Sequence, residues 1–546
     1  MTPIRDDPTK KPNKNLGRFS SSREDAKIDF TMDKKTFWQN ELAIPIGFAL
    51  LACLILLLTN ALDSYGLFRD EYYFLACSHH LALGYVDQPP LSIYLLAVSR
   101  LLFGDSLFAV RLLPALIAGA IVFLTGLMAK RMGGGKTALV IAGLSAGLAP
   151  FILGQNSHYS INSWSFLFWA LAAYLTILLF KTDNPRIWLP LGLVIGLGLL
   201  NKIDMLWFAF GLVVAVLLSK QRRHLTGRWP YLAALIALVL FLPFMIWNIQ
   251  NNFAHLEFMR HATQLKYGSI RRFDFIGGII MEHNPFALPI WLAGLYFCLI
   301  HKAGRAVRAL GIIFVAVFMI LLANGHSKAE YLSMAFPMLF AAGAVQIEIL
   351  SVKRYWHWLK YTLPAAAALS GLAFLPLAIP ILPVRAYIGY TKALGITQKS
   401  VEAHQLADLP QSYADRFGWE ELAKTVSDAY QMVPENERPK TIVYAHNYGE
   451  AGAIDYYRSK YDLPPVVCPH NSYWFWGRAY IKKDIEVIII IGGSIKDHLY
   501  SLQDVRQVAV HRCQYCIPYE NNLPIFIGKT LKRPFSEIWT TDKMFI

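Results

Sequence analysis

Ala43-Ile-Pro-Ile-Gly-Phe-Ala-Leu-Leu-Ala-Cys-Leu-Ile-Leu-Leu-Leu-Thr59 is uncharged and almost wholly apolar, and Asp63-Ser-Tyr-Gly-Leu-Phe-Arg69-Asp70-Glu71-Tyr72-Tyr73 follows it directly. A helix that crosses hydrocarbon needs about 20 such residues. The first candidate span is therefore 42–60. The same pattern returns at 108–129, 137–153, 163–180, 187–201, 203–219, 230–248, 285–300, 307–323, 331–350 and 361–383. This predicts a polytopic α-helical membrane protein with about eleven spans. The pair 187–201 and 203–219 is short and reads as broken or tilted helices. Leu91–Phe103 follows Pro89-Pro90 and contains Arg100, so it reads as an interfacial amphipathic helix.

Composition supports this reading. Of 546 residues, 55% are hydrophobic and only 16% charged, against about 25% charged in soluble domains. A purely soluble chain, a disordered chain and a collagen-like chain are all excluded. Six cysteines are too few for a disulfide scaffold. The net charge of +15 comes from 52 basic and 37 acidic residues. In a membrane protein, basic cytoplasmic loops explain such an excess without nucleic acid. With the amino terminus inside, the inside loops carry Lys130, Arg131 and Lys136, then Lys181 and Arg186, then Lys220, Arg222, Arg223 and Arg228. Lys302, Arg305, Arg308, Lys353, Arg354 and Lys360 continue the series. An odd span count then leaves the carboxyl terminus outside.

The two ends differ from the middle. Met1–Gln39 is polar, with Pro3, Pro8 and Pro12, and lacks a signal-peptide core. It reads as a flexible cytoplasmic tail. After Pro383 ordinary charge content returns. Trp419–Met432 has helical spacing, while Thr441–Ala445, Glu486–Ile491, Val505–Val510 and Pro524–Ile527 read as strands. The expectation is a small α/β domain on the outer face. The divisions are 1–40 for the tail, 41–383 for the membrane domain and 384–546 for the outer domain.

The first outer loop gathers chemistry. Asp70 and Glu71 are followed by His79-His80 and then Gly84-Tyr85-Val86-Asp87-Gln88-Pro89-Pro90. Acids interleaved with aromatic residues suggest a partly desolvated cleft, where a carboxylate becomes a better base. The alternative is that Asp70 and Glu71 only cap an interfacial helix.

Asp70-Glu71-Tyr72-Tyr73, the Gly84–Leu91 block, Gly104-Asp105-Ser106 and Arg111-Leu112 resemble the opening of family 39 glycosyltransferases. These are GT-C membrane enzymes related to protein O-mannosyltransferases and lipid A aminoarabinose transferases. The resemblance continues through Gly196–Lys202 and Lys328-Ala-Glu330-Tyr331. The stretches Leu409–Trp419 and Asn447–Ala453 look like the outer domain of bacterial members. It implies a GT-C catalytic domain in a bacterial inner membrane. The activity implied is sugar transfer from a polyprenyl phosphate to a lipid, glycan or protein acceptor, in cell-envelope glycan or glycolipid synthesis. By the family motif Asp70 is the general base, Glu71 orients or tunes it, and Asp87 is a second acid of the same cleft. Such a reaction needs fixed positive charge at the leaving phosphate and a placed carboxylate at the acceptor hydroxyl.

Two departures stand out. Gln88 occupies the place where the aminoarabinose transferases carry a lysine, so phosphate binding is not carried over there. Lys202, Arg271, Arg272 and Lys328 are the alternatives, in outer breaks where basic residues are usually depleted. Asp204 is a competing partner for Lys202. The break Gln155–Asn162 has amides, hydroxyls and His158 where relatives often have an acid. His158 and Asn162 either bind sugar or satisfy a helix end. Tyr72, Tyr85, Gln88, Glu330 and Tyr331 complete the expected substrate cleft.

Other motifs read more plainly. Adjacent His79 and His80 point to different sides of a helix, so packing is expected rather than metal binding. No metal and no cofactor is expected; Asp87 with a distant histidine is the one divalent-ion arrangement the residues offer. Cys513-Gln-Tyr-Cys516 has redox spacing but reads as structural. Gly133-Gly134-Gly135-Lys136 lacks phosphate-loop spacing and reads as a turn. Two competing classes remain from sequence. A secondary transporter would place its acids at mid-membrane, and a glycan-binding scaffold would have an occluded first-loop cleft.

Overall fold

The computed structural model describes residues 34–62, 65–266, 270–396, 406–481 and 484–546. Most of the expected amino-terminal tail, residues 1–33, lies outside them. Ala43–Ile546 forms one compact unit.

Among the described residues, seven helices are long and apolar enough to cross a membrane: Glu41–Leu62, Leu107–Arg131, Ile161–Thr182, Trp229–Gln250, Lys302–Asn324, Ala329–Ser351 and Arg354–Ala378. The chain is thus a polytopic helical membrane protein. The other four expected spans are shorter. Lys136–Gly147, Pro185–Asn201 and Pro285–Leu299 are short apolar helices, and Met205–Leu217 bends by 102° into Lys220–Thr226. Leu91–Phe103 is likewise a short helix. Burial sorts the long helices. Ala329–Ser351 has 89% of its apolar window inside the protein and stands at the centre, whereas Trp229–Gln250 has 22% and lies at the rim.

Small residues let these helices approach. A side chain at Gly294 would strike the Leu339 carbonyl, and one at Gly343 the Ile290 carbonyl. The helices Leu288–Leu299 and Phe336–Ser351 therefore touch backbone to backbone, a contact that apolar bulk would prevent.

Beyond residue 406 a five-stranded mixed sheet forms. Its strands are β1 (Thr441–Tyr444), β2 (Val466–Val467), β3 (Val487–Ile491), β4 (Leu502–His511) and β5 (Leu523–Leu531), in the order β2-β1-β3-β5-β4. β1 runs parallel to β2 and β3, while β5 runs antiparallel to β3 and β4. The helix Tyr448–Tyr461 is the crossover between β1 and β2. β3 is apolar at every position because both of its faces are covered. Val487, Ile489 and Ile491 join one core with the helices Arg69–His79 and Trp419–Gln431. Ile488 and Ile490 join another with Phe526, Phe535 and Trp539.

The first of those cores ties the sheet layer to the segment that follows the first apolar helix. Tyr72 and Tyr73 from Arg69–His79 pack among Trp419, Tyr448 and Ile454. Gly452 makes this approach close, since a Cβ there would sit 2.9 Å from the Tyr72 backbone.

Gly343→Leu is expected to destabilise the protein by about 1–3 kcal/mol, the usual range for overpacking. A thermal melt of the detergent-solubilised chain checks this, with exposed Gly389→Leu, which has open space around it, as the silent control.

Candidate functional site

The helix Arg69–His79 begins just after the first apolar helix, and its first turn sets the site. Consecutive helix positions are turned by about 100°, so Asp70 and Glu71 face different surroundings. Glu71 points inward and is fully buried. Its Oε2 accepts from Arg111 Nη2 at 2.7 Å and from the Phe68 N–H at 2.8 Å. Its Oε1 accepts from Arg111 Nε at 3.0 Å and from the Tyr159 N–H at 2.7 Å. Burial alone would raise the Glu71 carboxyl, but the Arg111 guanidinium outweighs it and holds the group below the usual range.

Asp70 points the other way and keeps about a third of its side chain accessible, at 35%. Tyr448 OH donates to its Oδ1 at 2.9 Å. Arg69 Nε lies 3.5 Å from the same oxygen, and Arg69 Nη1 lies 3.6 Å from buried Asp415. Arg69 also donates to Tyr519 OH and stands 5.4 Å from the Tyr448 ring centre. His158 rests on Phe68, with ring centres 5.0 Å apart. Burial, then the charge of Arg416, lowers its pKa to about 4, so the imidazole is neutral near pH 7.

A second group gathers on the other arm of the break at 156–160. Lys202 Nζ donates to Asn162 Oδ1 at 2.7 Å and stands 5.6 Å from the Tyr331 ring centre. Asp204 is 3.9 Å from the same nitrogen and accepts a hydrogen bond from Ser165. Asn162 Nδ2 donates to Gln155 Oε1 at 3.1 Å, and Gln155 Nε2 reaches Glu330 Oε2 at 3.5 Å. Glu282 is accessible yet enclosed by protein. Enclosure, then the charge of Glu330, pushes its carboxyl up to about 8, against the opposing pull of Lys328.

Asp87 stands apart from Asp70. Its Oδ1 accepts from Tyr73 OH at 2.7 Å, and the Tyr73 and Tyr448 rings are 4.9 Å apart. The two acids are thus linked through a pair of tyrosines. Several expected cleft residues are packed inside instead. Tyr72 is a core residue whose hydroxyl meets Tyr457 OH at 3.3 Å. Tyr85 is buried and donates to the Cys77 and His80 carbonyls. Gln88 is fully buried, with neither side-chain amide atom hydrogen-bonded among the described residues. Arg271 and Arg272 are exposed, and Arg271 is engaged with Asp274 at 2.7 Å.

The remaining motifs resolve simply. His79 meets Arg100 while His80 stacks on Trp476 at 4.3 Å, so the pair diverges. Among the described residues no three His, Cys, Asp or Glu side chains are placed to hold a metal ion. Cys513 and Cys516 are free thiols, the Cys516 N–H donating to Cys513 Sγ. The glycine run ends in a turn whose Gly135 N–H is accepted by Glu348.

Comparison with known proteins shows what the chain is similar to. A family profile described as "Dolichyl-phosphate-mannose-protein mannosyltransferase" matches residues 87–247. An "Undecaprenyl phosphate-alpha-4-amino-4-deoxy-L-arabinose arabinosyl transferase" of Pseudomonas aeruginosa (strain LESB58) is 27% identical over 330 residues. That match covers 56% of this chain and 58% of the relative, under two thirds of its length. The crystal structure of ArnT from Cupriavidus metallidurans in the apo state superimposes with a TM-score of 0.59 at 15% identity. It covers 91% of this chain and 98% of that one. The same protein bound to undecaprenyl phosphate gives a TM-score of 0.58 at 13% identity, covering 90% and 98%. This chain is similar to these transferases over part of its length and shares the fold of the ArnT structures.

Within that fold, sequence reasoning missed the groups that come from far along the chain. Tyr448 is 378 residues from Asp70. Behind Arg69 lies a buried acid pair, Glu450 and Glu520, both accepting from Asn447 Nδ2 at 2.9 Å. Burial, then repulsion from Glu520, raises Glu450. Burial likewise raises Glu520 to about 7, against the pull of Arg69. A carboxyl raised on folding stabilises the fold fully below its unfolded pKa of about 4.3, and that contribution is lost as pH rises through about 7. The melting temperature of the wild type is therefore expected to fall between about pH 4.5 and 7. Glu520→Gln flattens that decline, measured by thermal melts across the same range.

Proposed function

We propose that the protein is an integral membrane glycosyltransferase that moves a sugar from a polyprenyl-phosphate carrier to an acceptor at the outer face of the membrane. The relatives named for undecaprenyl-phosphate aminoarabinose transfer support the donor class. The reading takes 41–383 as a catalytic membrane domain with about eleven crossings, the four short apolar segments included. It takes 384–546 as an outer α/β layer, with the amino terminus cytoplasmic and the membrane a bacterial inner membrane. The product belongs to cell-envelope glycan or glycolipid synthesis.

The observation that carries the proposal is that two unlike groups sit on elements tied to one short break, the helix of Asp70 through Glu71 and Tyr159, and Lys202 through Asn162. On one side is an accessible carboxylate, Asp70, two residues after Phe68, on which the neutral ring of His158 rests. On the other a partly accessible ammonium, Lys202, is aimed by Asn162 and Tyr331. In the proposed step Asp70 takes the proton of the acceptor hydroxyl. The hydroxyl oxygen forms a bond to the anomeric carbon as the carbon–oxygen bond to phosphate breaks. The leaving electron pair stays on the phosphate, whose charge Lys202 meets. Glu71 holds the helix that aims Asp70 and touches no reactant, and Asp87 lies farther along the tyrosine pair. Lys328, with Glu330 and Glu282, lines the donor side; Tyr331 and Asn162 position Lys202.

The test uses purified protein in lipid nanodiscs with a panel of polyprenyl-phosphate sugars. Mass spectrometry reads released polyprenyl phosphate and the glycosylated product. Asp70→Asn is expected to lower kcat by at least about 100-fold with an unchanged melt, as loss of a general base does. Lys202→Met is expected to raise KM for the donor. Full turnover by Asp70→Asn, or no release from any donor in the panel, overturns the proposal.

A further inference from the structure

A pocket lies where the rim helix Trp229–Gln250 ends against the carboxyl-terminal layer. It is lined by Gln250, Asn251, Asn252, Glu257, Arg478 and Lys543 over a floor of Trp474, Phe475 and Phe545, with about 100 Å³ of accessible space. A water needs roughly 10–15 Å³ on the same measure, so the pocket takes a group of several heavy atoms.

Its charges are unequal. Lys543 is paired with Glu257 at 2.7 Å. The Arg478 guanidinium makes no hydrogen bond or ion pair among the described residues. Its guanidinium carbon sits 4.0 Å from the Trp474 ring centre and 4.9 Å from that of Phe475. Stacking occupies the face of a guanidinium and leaves its edge N–H groups for an anion. The aromatic floor is already in use. Trp474 is covered by Arg478 and donates its indole N–H to the Trp539 carbonyl at 3.1 Å. Phe475 and Phe545 pack on each other, 5.8 Å apart. A neutral sugar needs a free aromatic face, whereas an oxyanion needs the donors that are present.

Its position adds the second half of the ligand. The end of an apolar span marks the membrane surface. Asn252 and Phe253 adopt left-handed backbone angles, φ 55° and 57°, and the Phe253 N–H returns to the Asn248 carbonyl at 2.7 Å. Left-handed angles at non-glycine residues cost roughly 1–2 kcal/mol each. This turn leaves Phe253 51% exposed, between Ile249 at 60% and Leu256 at 54%. An apolar surface thus borders a pocket for an anion.

We propose that this pocket binds the phosphate headgroup of an anionic membrane phospholipid, with Arg478 on the phosphate, the amides of Gln250 and Asn252 on the headgroup alcohol, and acyl chains along Ile249, Phe253 and Leu256. The site is separate from the Asp70–Lys202 break. It rests on the reading of Trp229–Gln250 as a span and not on the transfer chemistry, so its test stands whatever Asp70→Asn does.

The test is native mass spectrometry of the full chain, titrated with phosphatidylglycerol and, in parallel, with phosphatidylcholine. The wild type is expected to retain one phosphatidylglycerol in preference to phosphatidylcholine. Arg478→Gln weakens that binding at least about tenfold, as loss of a charge-assisted phosphate contact does. Arg506→Gln, an exposed arginine on β4, leaves it unchanged. Soluble glycerol phosphate at millimolar concentration does not displace the lipid. Equal retention by Arg478→Gln, equal loss in both variants, or displacement by glycerol phosphate overturns the proposal.

Discussion

The ion pair between Glu71 and Arg111 is the interaction on which the site depends. Both side chains are fully buried. Moving each charge out of water costs several kcal/mol, and the attraction offsets this only with near-complete hydrogen bonding. That condition is met. Glu71 accepts from Arg111, Phe68 and Tyr159, and Arg111 also donates to the Gly66 carbonyl at 2.8 Å. One carboxylate therefore pins four things at once. They are the loop before the helix Arg69–His79, the start of that helix, the long helix Leu107–Arg131, and the break at 156–160. With Glu71 turned inward, Asp70 is held outward at the next position.

The carboxyl-terminal sheet layer completes what the pair begins. Tyr448 opens the helix Tyr448–Tyr461 and reaches Asp70, and Tyr519 and Asp415 reach Arg69. Arg69 is thus set among Asp70, Asp415 and the buried Glu450–Glu520 pair, so it shares its charge among several acids. The aromatic core around Tyr72 and Tyr73 makes the contact rigid rather than incidental. On the opposite arm Lys202 is oriented by an amide, Asn162, and an aromatic ring, Tyr331.

Much of the fold was legible because lipid leaves few options. Long apolar runs predict helices, and the seven long ones lie where the runs do. The four short segments were harder to read, because composition does not reveal a 102° bend at Leu218–Ser219 or a helix that stops at Gly147. β3 was visible as Val-Ile-Ile-Ile-Ile, whereas two-residue β2 carries too little pattern. The helix Tyr448–Tyr461 is buried through its first seven residues, so it shows no one-sided periodicity. In the site, the first-loop motif pointed to Asp70, Glu71 and Asp87. It gave Asp70 and Glu71 different roles through the family resemblance, whereas their opposite surroundings follow from the rotation along the helix. Tyr72 and Tyr85 looked like cleft residues because exposure of an aromatic next to acids is not encoded locally.

The most direct measurement is a double-mutant cycle on Glu71 and Arg111, reading both unfolding and turnover. The account predicts that Glu71→Gln and Arg111→Met each destabilise by about 3–5 kcal/mol, because each strands a buried charge or donor. The double variant should lose much less than the sum. Turnover should fall in both single variants although neither side chain touches a reactant. Additive losses within about 0.5 kcal/mol, together with wild-type turnover in folded Glu71→Gln, would contradict it.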